Sequence, residues 1–455
     1  MIQSMKIILD SHLILEKPIE RNVLEFFKKE HTFTNPQWTD TVKRGGSTWG
    51  VKKFIQAYFE DNQYLILPRG RYRYILNYIK RNNINYKLED KRREVPVDKK
   101  LVFTGKLRNY QEEAIEKYIK HSFGIIQAPC GSGKTIAGMK IIELRQQNTL
   151  IIVHTKELMN QWLERLEQFM SFPKEYTGII GDGQKTINLI TIGMVQTLIN
   201  IPAEEIKNLF GFIIFEEIHH VACTTFTQVI SKFDCKYMLG LSATPYRKDG
   251  LDKLIHYNIG NVVAEITDKD LIKAGVKITP VVITKDTNFK YDYKDSFDWV
   301  HMISELAKDE DRNNLIAGDI AYEAKNGNFC LILSERKKQI EILSYMLEQL
   351  GIKYSILTGS TKRNERKEIL TDLKTPVLFA TKQIAGEGLD IPKLNRLFIT
   401  TPVKWKGSLK QFIGRILRVC DGKEDAKIYD YVDKNIIALK GMYYSRFKAV
   451  YKEFL

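Results

Sequence analysis

Two successive series of short apolar runs, each the length of a single strand and set apart by helical stretches, constrain this chain more than any other feature. Phe123 to Gln127, Thr149 to Val153, Asn188 to Ile192, Phe212 to Phe215 and Tyr237 to Leu241 are rich in β-branched and aromatic residues. A second series follows at Phe329 to Leu333, Tyr354 to Leu357, Val377 to Ala380, Arg396 to Thr400 and Lys427 to Tyr431. Runs without polar alternation are strands covered on both faces, and strands alternating with helices build parallel sheets. The pattern predicts an α/β chain with two tandem parallel-sheet domains, joined near residues 268–280. At 455 residues the chain is also too long for one hydrophobic core. A composition of 44% hydrophobic and 27% charged residues excludes a disordered, collagenous or disulfide-built chain.

The first hundred residues read differently. Short β-like runs (Lys6 to Leu9, Leu13 to Leu15, Tyr64 to Leu67) alternate with helix-like ones (Ile19 to Lys29, Tyr72 to Arg81), which predicts a small α+β domain. The charged run Glu89 to Lys100, interrupted by Pro96, reads as a linker. The boundaries expected from these patterns are 1–100, 101–275 and 276–455. The first hundred residues hold 20 lysines and arginines against 12 acidic residues, so +8 of the chain's net +15 lies there. Such a surplus favours a polyanionic partner, nucleic acid before a membrane surface. Arg69, Arg71 and Arg73 interleave with Tyr72, Tyr74 and Tyr78, a pairing of phosphate-binding charge with stacking surface. A plain amphipathic helix burying Ile75, Leu76 and Ile79 accounts for the same aromatics.

The N-terminus carries polar and acidic residues where an export signal has an apolar stretch, and no apolar run approaches 18 residues. The expectation is a cytoplasmic chain with no membrane span, in the host-cell cytoplasm if viral. The five cysteines are scattered without zinc-site spacing.

Ala128-Pro129-Cys130-Gly131-Ser132-Gly133-Lys134-Thr135 follows a strand-like run and opens a helix-like one, which is the setting of a phosphate-binding loop. Gly131 and Gly133 let backbone amides turn toward phosphate oxygens, the helix N-terminus adds positive charge, and Lys134 neutralises the outer phosphates. Thr135 would ligate Mg²⁺. At the carboxyl end of another strand run stand Glu216 and Glu217, where an open parallel sheet places its ligand crevice. Glu216 would hold Mg²⁺ through water, and Glu217 would orient an attacking water. Gln111 can pair with both N6 and N7 of adenine. Gln411, Arg415 and Arg418 fall at i, i+4 and i+7, on one helical face. They read either as an exposed basic stripe or as arginines that stabilise a transferring phosphoryl group.

The ordered set resembles the superfamily 2 helicase and translocase ATPases across roughly residues 105 to 432. LRNYQ looks like the adenine-reading motif, APCGSGKT motif I, VHTKEL motif Ia, TIGMVQTL the next strand-binding motif and EEIH motif II. LSATP, ATKQIAGEGLDIP and QFIGRILR look like motifs III, V and VI. The resemblance implies two RecA-like domains, ATP and Mg²⁺ as cofactors, and DNA as partner. It implies nucleotide contacts from Arg108, Tyr110, Gln111, Pro129 to Thr135, Gly388, Asp390 and Gln411, and coupling roles for His219, Ser242 and Thr244. It implies strand contacts from Thr155, Lys156, Thr191, Gln196, Thr197, Thr358, Gly359 and Thr381. Where the family usually has Asp at the first position of motif II, this chain has Glu216, which keeps the charge on a longer stem.

LSATPYRKDG and the layout of the first hundred residues look most like the phage UvsW-type branch-migration helicases, with XPB-like repair helicases as cousins. That closer likeness implies an accessory domain contacting DNA at a fork or junction. An RNA helicase, a restriction-system motor and a noncatalytic junction-binding protein are the alternatives.

Overall fold

The structure, a computed structural model, describes residues 4–43, 45–170, 176–218, 223–243, 250–294, 298–381, 389, 391–402 and 406–454. The chain divides into two compact units, Met1–Ala128 with Ser132–Ile266, and Pro129–Gly131 with Thr267–Leu455. The boundary between the units in the second half of the chain falls at Ile266/Thr267, and the first unit includes residues 1–100.

Strands β1 (Met5–Leu9), β2 (His12–Glu16), β3 (Thr32–Thr34), β4 (Phe54–Gln56), β5 (Phe59–Glu60), β6 (Tyr64–Pro68) and β7 (Tyr86–Asp90) open the first unit. Five of them form a sheet in the order β5-β6-β2-β1-β7, antiparallel except for β1 with β7. Alternation along these strands sends Ile7, Leu9, Leu13, Leu15, Leu65 and Leu67 to one fully buried face. Helices Arg21–Glu30 and Tyr72–Arg81 cover that face, with Val23, Phe27, Ile75 and Ile79 buried against it. Each such side chain stabilises the packing by roughly 2 kcal/mol. Strands β3 and β4 pair only with each other.

The same unit contains a second, larger sheet of β8 (Phe123–Gln127), β9 (Thr149–Val153), β10 (Thr177–Gly181), β11 (Gln184–Lys185), β12 (Ile190–Met194), β13 (Phe212–Glu216), β14 (Tyr237–Ser242) and β15 (Val262–Glu265). Its order is β11-β10-β12-β9-β13-β14-β8-β15, and all neighbours run parallel except β10 with β11. β13 is buried along its whole length, which is why the sequence shows no alternation there. On one face Ile125, Leu150, Ile152, Ile213 and Phe215 pack with Phe226, Val229, Ile255 and Ile259. Helices Lys134–Arg145 and Lys156–Phe169 pack on β9, β12, β13 and β14.

The two sheets of this unit are fastened together at the amino ends of β8 and β14. Arg69 is only 1% exposed. Its Nη1 donates to Phe233 O (2.9 Å), Cys235 O (3.3 Å) and Asp10 O (3.4 Å), and its guanidinium lies over the Phe123 ring. Gly70 packs so tightly on Tyr257–Gly260 that a Cβ there would sit 2.6 Å from Gly260 N, so no other residue fits. Residues 91–100, expected to be a linker, are instead pinned along this edge. Arg93 N donates to Asp234 O, Lys236 N to Arg93 O, Asn148 N to Val95 O and Val97 N to Gln146 O. The polar composition that suggested a free connection serves backbone pairing and surface contact.

The second unit carries β16 (Pro280–Thr287), β17 (Cys330–Ser334), β18 (Tyr354–Leu357), β19 (Val377–Thr381), β20 (Arg396–Ile399) and β21 (Ala426–Asp433). They form one fully parallel sheet in the order β16-β21-β20-β17-β19-β18. Helices Glu310–Lys325 and Lys337–Gln349 supply Ile316, Ile320, Leu343 and Leu347 to one core, and helix Lys406–Ile416 supplies Leu409, Phe412 and Ile413 to another. The α/β architecture with tandem parallel sheets and a smaller α+β region is therefore as the sequence predicts. The sequence pattern does not show β3, β4, β5, β7, β10, β11, β15 or β16.

Candidate nucleotide and nucleic-acid site

The phosphate loop leaves the carboxyl end of β8, and its partners lie on neighbouring strands. β14 stands between β8 and β13, with Ser242 opposite Gln127 and Leu241 opposite Glu216. Three strand ends thus deliver the loop, Ser242 and the paired glutamates to one edge of the sheet, where parallel sheets bind ligands. Gly131 (φ +81°) and Gly133 (φ +76°) adopt the left-handed backbone that bends the loop toward the N-terminus of helix Lys134–Arg145. Pro129, Cys130 and Thr135 are half-buried in this turn.

Lys134 is buried, and its Nζ lies 3.2 Å from Glu217 Oε1 and 3.3 Å from Ala128 O. The ammonium is thus held by oxygens in the place where a phosphate would compete for it. Glu217 has φ +46°, a strained conformation for a residue with a Cβ, which brings its carboxylate back toward Lys134 and toward Ala243 N at 3.4 Å. Glu216 is buried. Burial pushes its carboxyl up to about 8; the Lys134 ammonium opposes that rise, the Glu217 carboxylate adds to it, and the Trp162 indole favours the ionised form. Glu216 Oε2 and Ser132 Oγ are buried without a hydrogen-bond partner among the described residues. A buried, unsatisfied carboxylate oxygen beside a phosphate loop fits a divalent cation, so the residues present suit Mg²⁺ at Thr135 and Glu216.

Gln111 occupies a different place from that expected of an adenine reader. It is 2% exposed, its Nε2 donates to Ser132 O (2.9 Å) and Gly133 O (3.4 Å), and its Oε1 accepts from Arg108 N (2.9 Å). Tyr110 donates to Ser132 O at 3.3 Å and accepts from Arg108 Nη1 at 3.3 Å. Here the three residues brace the loop from beneath, and both ends of the Gln111 carboxamide are engaged.

The expected strand contacts of the first unit leave the same edge. Thr155 follows β9 and caps helix Lys156–Phe169, accepting from Leu158 N at 3.2 Å. Gln196, after β12, donates to His154 O at 2.9 Å; Lys156 and Gln196 are exposed, and Thr197 is half-buried. Thr191 is a correction. It lies inside β12, is fully buried, and bonds Asn188 O and Asn188 N, so its hydroxyl is closed to any strand. Sequence reasoning missed Lys232, whose Nζ donates to Leu198 O (3.0 Å), Ile199 O (2.7 Å) and Ile201 O (2.6 Å) and so ties down the turn that carries Gln196 and Thr197. A lone lysine 31 to 34 residues beyond its acceptors leaves no pattern in the sequence.

In the second unit Thr358 follows β18 and Thr381 ends β19, side by side because Leu357 pairs with Ala380. Thr358 Oγ1 lies 2.9 Å from Ser360 Oγ, and Gly359 is exposed. Helix Lys406–Ile416 buries Phe412, Ile413 and Ile416, which leaves Arg415 and Arg418 half-buried beside the core. Leu417 O accepts from Ile278 N at 2.8 Å, and Lys277, buried against Asp268 at 2.5 Å, pairs with the Arg418 backbone. His219, Thr244, Gly388, Asp390 and the Gln411 side chain lie outside the described residues.

Of the accessory arginines, Arg69 is a second correction. It is spent on carbonyls inside the first unit and has no surface to offer a phosphate. Arg71 pairs with Glu30 at 3.3 Å and lies over the Tyr74 ring, while Arg73 is exposed and bonds Tyr72 Oη and His121 Nδ1.

Residues 104–247 match the family model described as type III restriction enzyme, res subunit, and residues 311–420 match the helicase conserved C-terminal domain. The chain is 30% identical over 364 residues to the DNA 3'-5' translocase XPB2 of Sulfurisphaera tokodaii, covering 72% of this chain and 82% of that protein. It is 31% identical over 359 residues to a "Putative ATP-dependent RNA helicase" of Acanthamoeba polyphaga mimivirus, covering 75% of this chain and 66% of that one. The DNA-bound type ISP restriction-modification enzyme LlaBIII shares the fold, with TM-score 0.55 and 15% identity over 77% of this chain and 30% of that one. The chain belongs to the superfamily 2 helicases and translocases, ATP-dependent enzymes that act on nucleic acid. No helix among the described residues is long and apolar enough to cross a membrane.

Proposed function

We propose that this chain is a DNA motor acting on forked or branched DNA, in branch migration, fork remodelling or unwinding, on the pattern of the UvsW-type and XPB-like helicases. The observation that carries this reading is the fastening of the N-terminal sheet to the motor's first sheet by Arg69, Gly70 and residues 91–100. An accessory domain fixed to the motor can hold one arm of a branched substrate while the motor advances along another. The archaeal relative's name, a DNA translocase, agrees with DNA as the track.

In this reading residues 101–275 and 276–455 are the two motor domains. The amides of residues 131–135 and Lys134 receive the phosphates of ATP. Thr135 and Glu216 would hold Mg²⁺, which when bound neutralises charge on the outer phosphates. Lys134 exchanges the Glu217 carboxylate for phosphate oxygens, and Glu217, released, orients the attacking water. Arg415 and Arg418 stabilise charge on the transferring phosphoryl. Thr155, Lys156, Gln196, Thr197, Thr358, Gly359 and Thr381 grip the strand, and its grip alternates with nucleotide state.

A labelled DNA fork, a Holliday junction and a plain duplex, each with and without ATP, test the reading against matched RNA. ATP-dependent processing of the fork and junction ahead of the duplex is expected. Stronger stimulation of hydrolysis by RNA, or equal processing of all three DNAs, would overturn it.

A further inference from the structure

None of the described residues between 32 and 56 is buried, including helix Pro36–Lys43, although the segment is ordered by the β3–β4 ribbon. Trp49 is 94% exposed and Phe54 50%, and among the described residues no ring or cation stands on Trp49. An element that displays large aromatics to solvent marks an interaction surface. The charge of the segment identifies the partner's sign. Lys43, Arg44, Lys52 and Lys53 stand against Asp40 alone, and Lys53 Nζ lies 5.2 Å from the Trp38 ring and 5.4 Å from Phe54. Exposed flat rings set among cations suit unpaired bases, whose faces stack and whose phosphates pair.

The base of this segment tracks helix Asp252–Ile259 of the motor. Pro36 abuts Gly250, Lys253 Nζ lies 5.4 Å over the Phe33 ring, the His31 and Tyr257 rings are 5.3 Å apart, and Tyr257 donates to Glu30 O at 2.9 Å. That helix runs back from the carboxyl end of β14 toward the amino end of β15, so its start lies toward the edge from which Thr155, Lys156, Gln196 and Thr197 emerge. A base held on the ribbon is therefore tied to the motor on the side of the strand contacts.

We infer that residues 32–56 form a base-stacking element for unpaired nucleotides at a DNA branch point, with Trp49 and Phe54 as the platforms and Lys43, Lys52 and Lys53 as phosphate partners. This inference rests on the nucleic-acid motor reading and assigns to that reading a contact which the buried Arg69 does not supply. The test uses the full-length chain and a fluorescent DNA fork with single-stranded arms. Trp49→Ala with Phe54→Ala should weaken fork binding at least about tenfold, the loss expected from removing one stacked base, whereas Trp49→Phe should retain most of it. Lys52→Ala with Lys53→Ala should lower the slope of log affinity against log salt by about 1.4, for two single-strand phosphates. Tyr322→Ala, which removes a 65% exposed aromatic from the second unit, should leave fork affinity at wild type. Trp49 emission should be quenched by the fork, a change absent from Trp49→Phe. Wild-type fork affinity in the aromatic double variant, or Trp49 quenching by a protein and not by DNA, would overturn the inference. If wild-type hydrolysis were indifferent to nucleic acid, the motor reading itself would fall, which is a separate result.

Discussion

Replacing Arg69 by Ala should loosen the attachment of the N-terminal sheet without touching any nucleic-acid contact. Nη1 donates to three backbone carbonyls, one at 2.9 Å and two at 3.3 and 3.4 Å. A hydrogen bond from a charged group contributes about 1.5–3 kcal/mol, so one good bond and two long ones sum to roughly 3–4 kcal/mol. Against this stands the relief of no longer burying a cation, itself several kcal/mol. The loss wins in the Ala variant, because the carbonyls stay buried without donors and a void replaces the guanidinium. A net cost of about 3 kcal/mol is expected. Arg69→Met fills the space and keeps only the orphaned carbonyls, so about half that cost is expected. Urea unfolding measures both, and limited proteolysis within residues 91–100 should rise in step with the loss. Fork affinity at low salt and its salt slope should stay at wild type. Unchanged stability together with a slope lowered by about 0.9, one duplex phosphate, would refute the assignment and restore Arg69 as a DNA contact.

Lys134→Ala should abolish DNA-stimulated ATP hydrolysis while leaving DNA binding nearly intact; retained turnover in a phosphate-release assay would contradict the loop's role. Burial holds the His31 imidazole down at about 4, below its ordinary 6.5, with the Arg71 charge adding to the fall and a bond to Phe27 O opposing it. The unfolded chain then takes up the proton first, so stability is complete above pH 6.5 and is lost as pH falls toward 4, by about 2 kcal/mol between pH 7 and 5. His31→Gln should flatten that dependence in urea titrations at the two pH values, and parallel curves for variant and wild type would disprove it. Lys232→Met should weaken strand binding by roughly tenfold through the loosened Gln196 turn, consistent with one lost charge-assisted contact set. Nucleotide binding measured by fluorescence should not follow, and an equal loss of both would mean the residue serves the whole sheet.

The tandem sheets and the phosphate loop were legible because each is written in local spacing. Strand-length apolar runs such as Phe212–Glu216 need only neighbours in sequence, and Gly131 to Lys134 define their turn within four positions. What failed depends on which partner a polar group finds. Arg69 and Arg73 belong to one basic run, yet Arg69 meets Phe233 O, 164 residues away, while Arg73 stays exposed beside Tyr72 and His121. Thr191 sits in a run that resembles a strand-binding motif, but the register of β12 turns it into the sheet. Gln111 has the right neighbours for reading a base, and its carboxamide closes on the loop carbonyls instead. β15 was invisible because Val262–Glu265 is short and closely follows a helix.

The fastening at Arg69 also sets a schedule for synthesis. Its acceptors Phe233 and Cys235 lie 164 and 166 residues further along the chain. At ribosomal speeds of about 5–20 residues per second, Arg69 waits roughly 8–33 s before its acceptors are made. A leucine in that position would keep the waiting face sticky throughout. A guanidinium stays hydrated and soluble until the carbonyls arrive, so a residue that is costly to bury in the finished protein guards the nascent one against premature association.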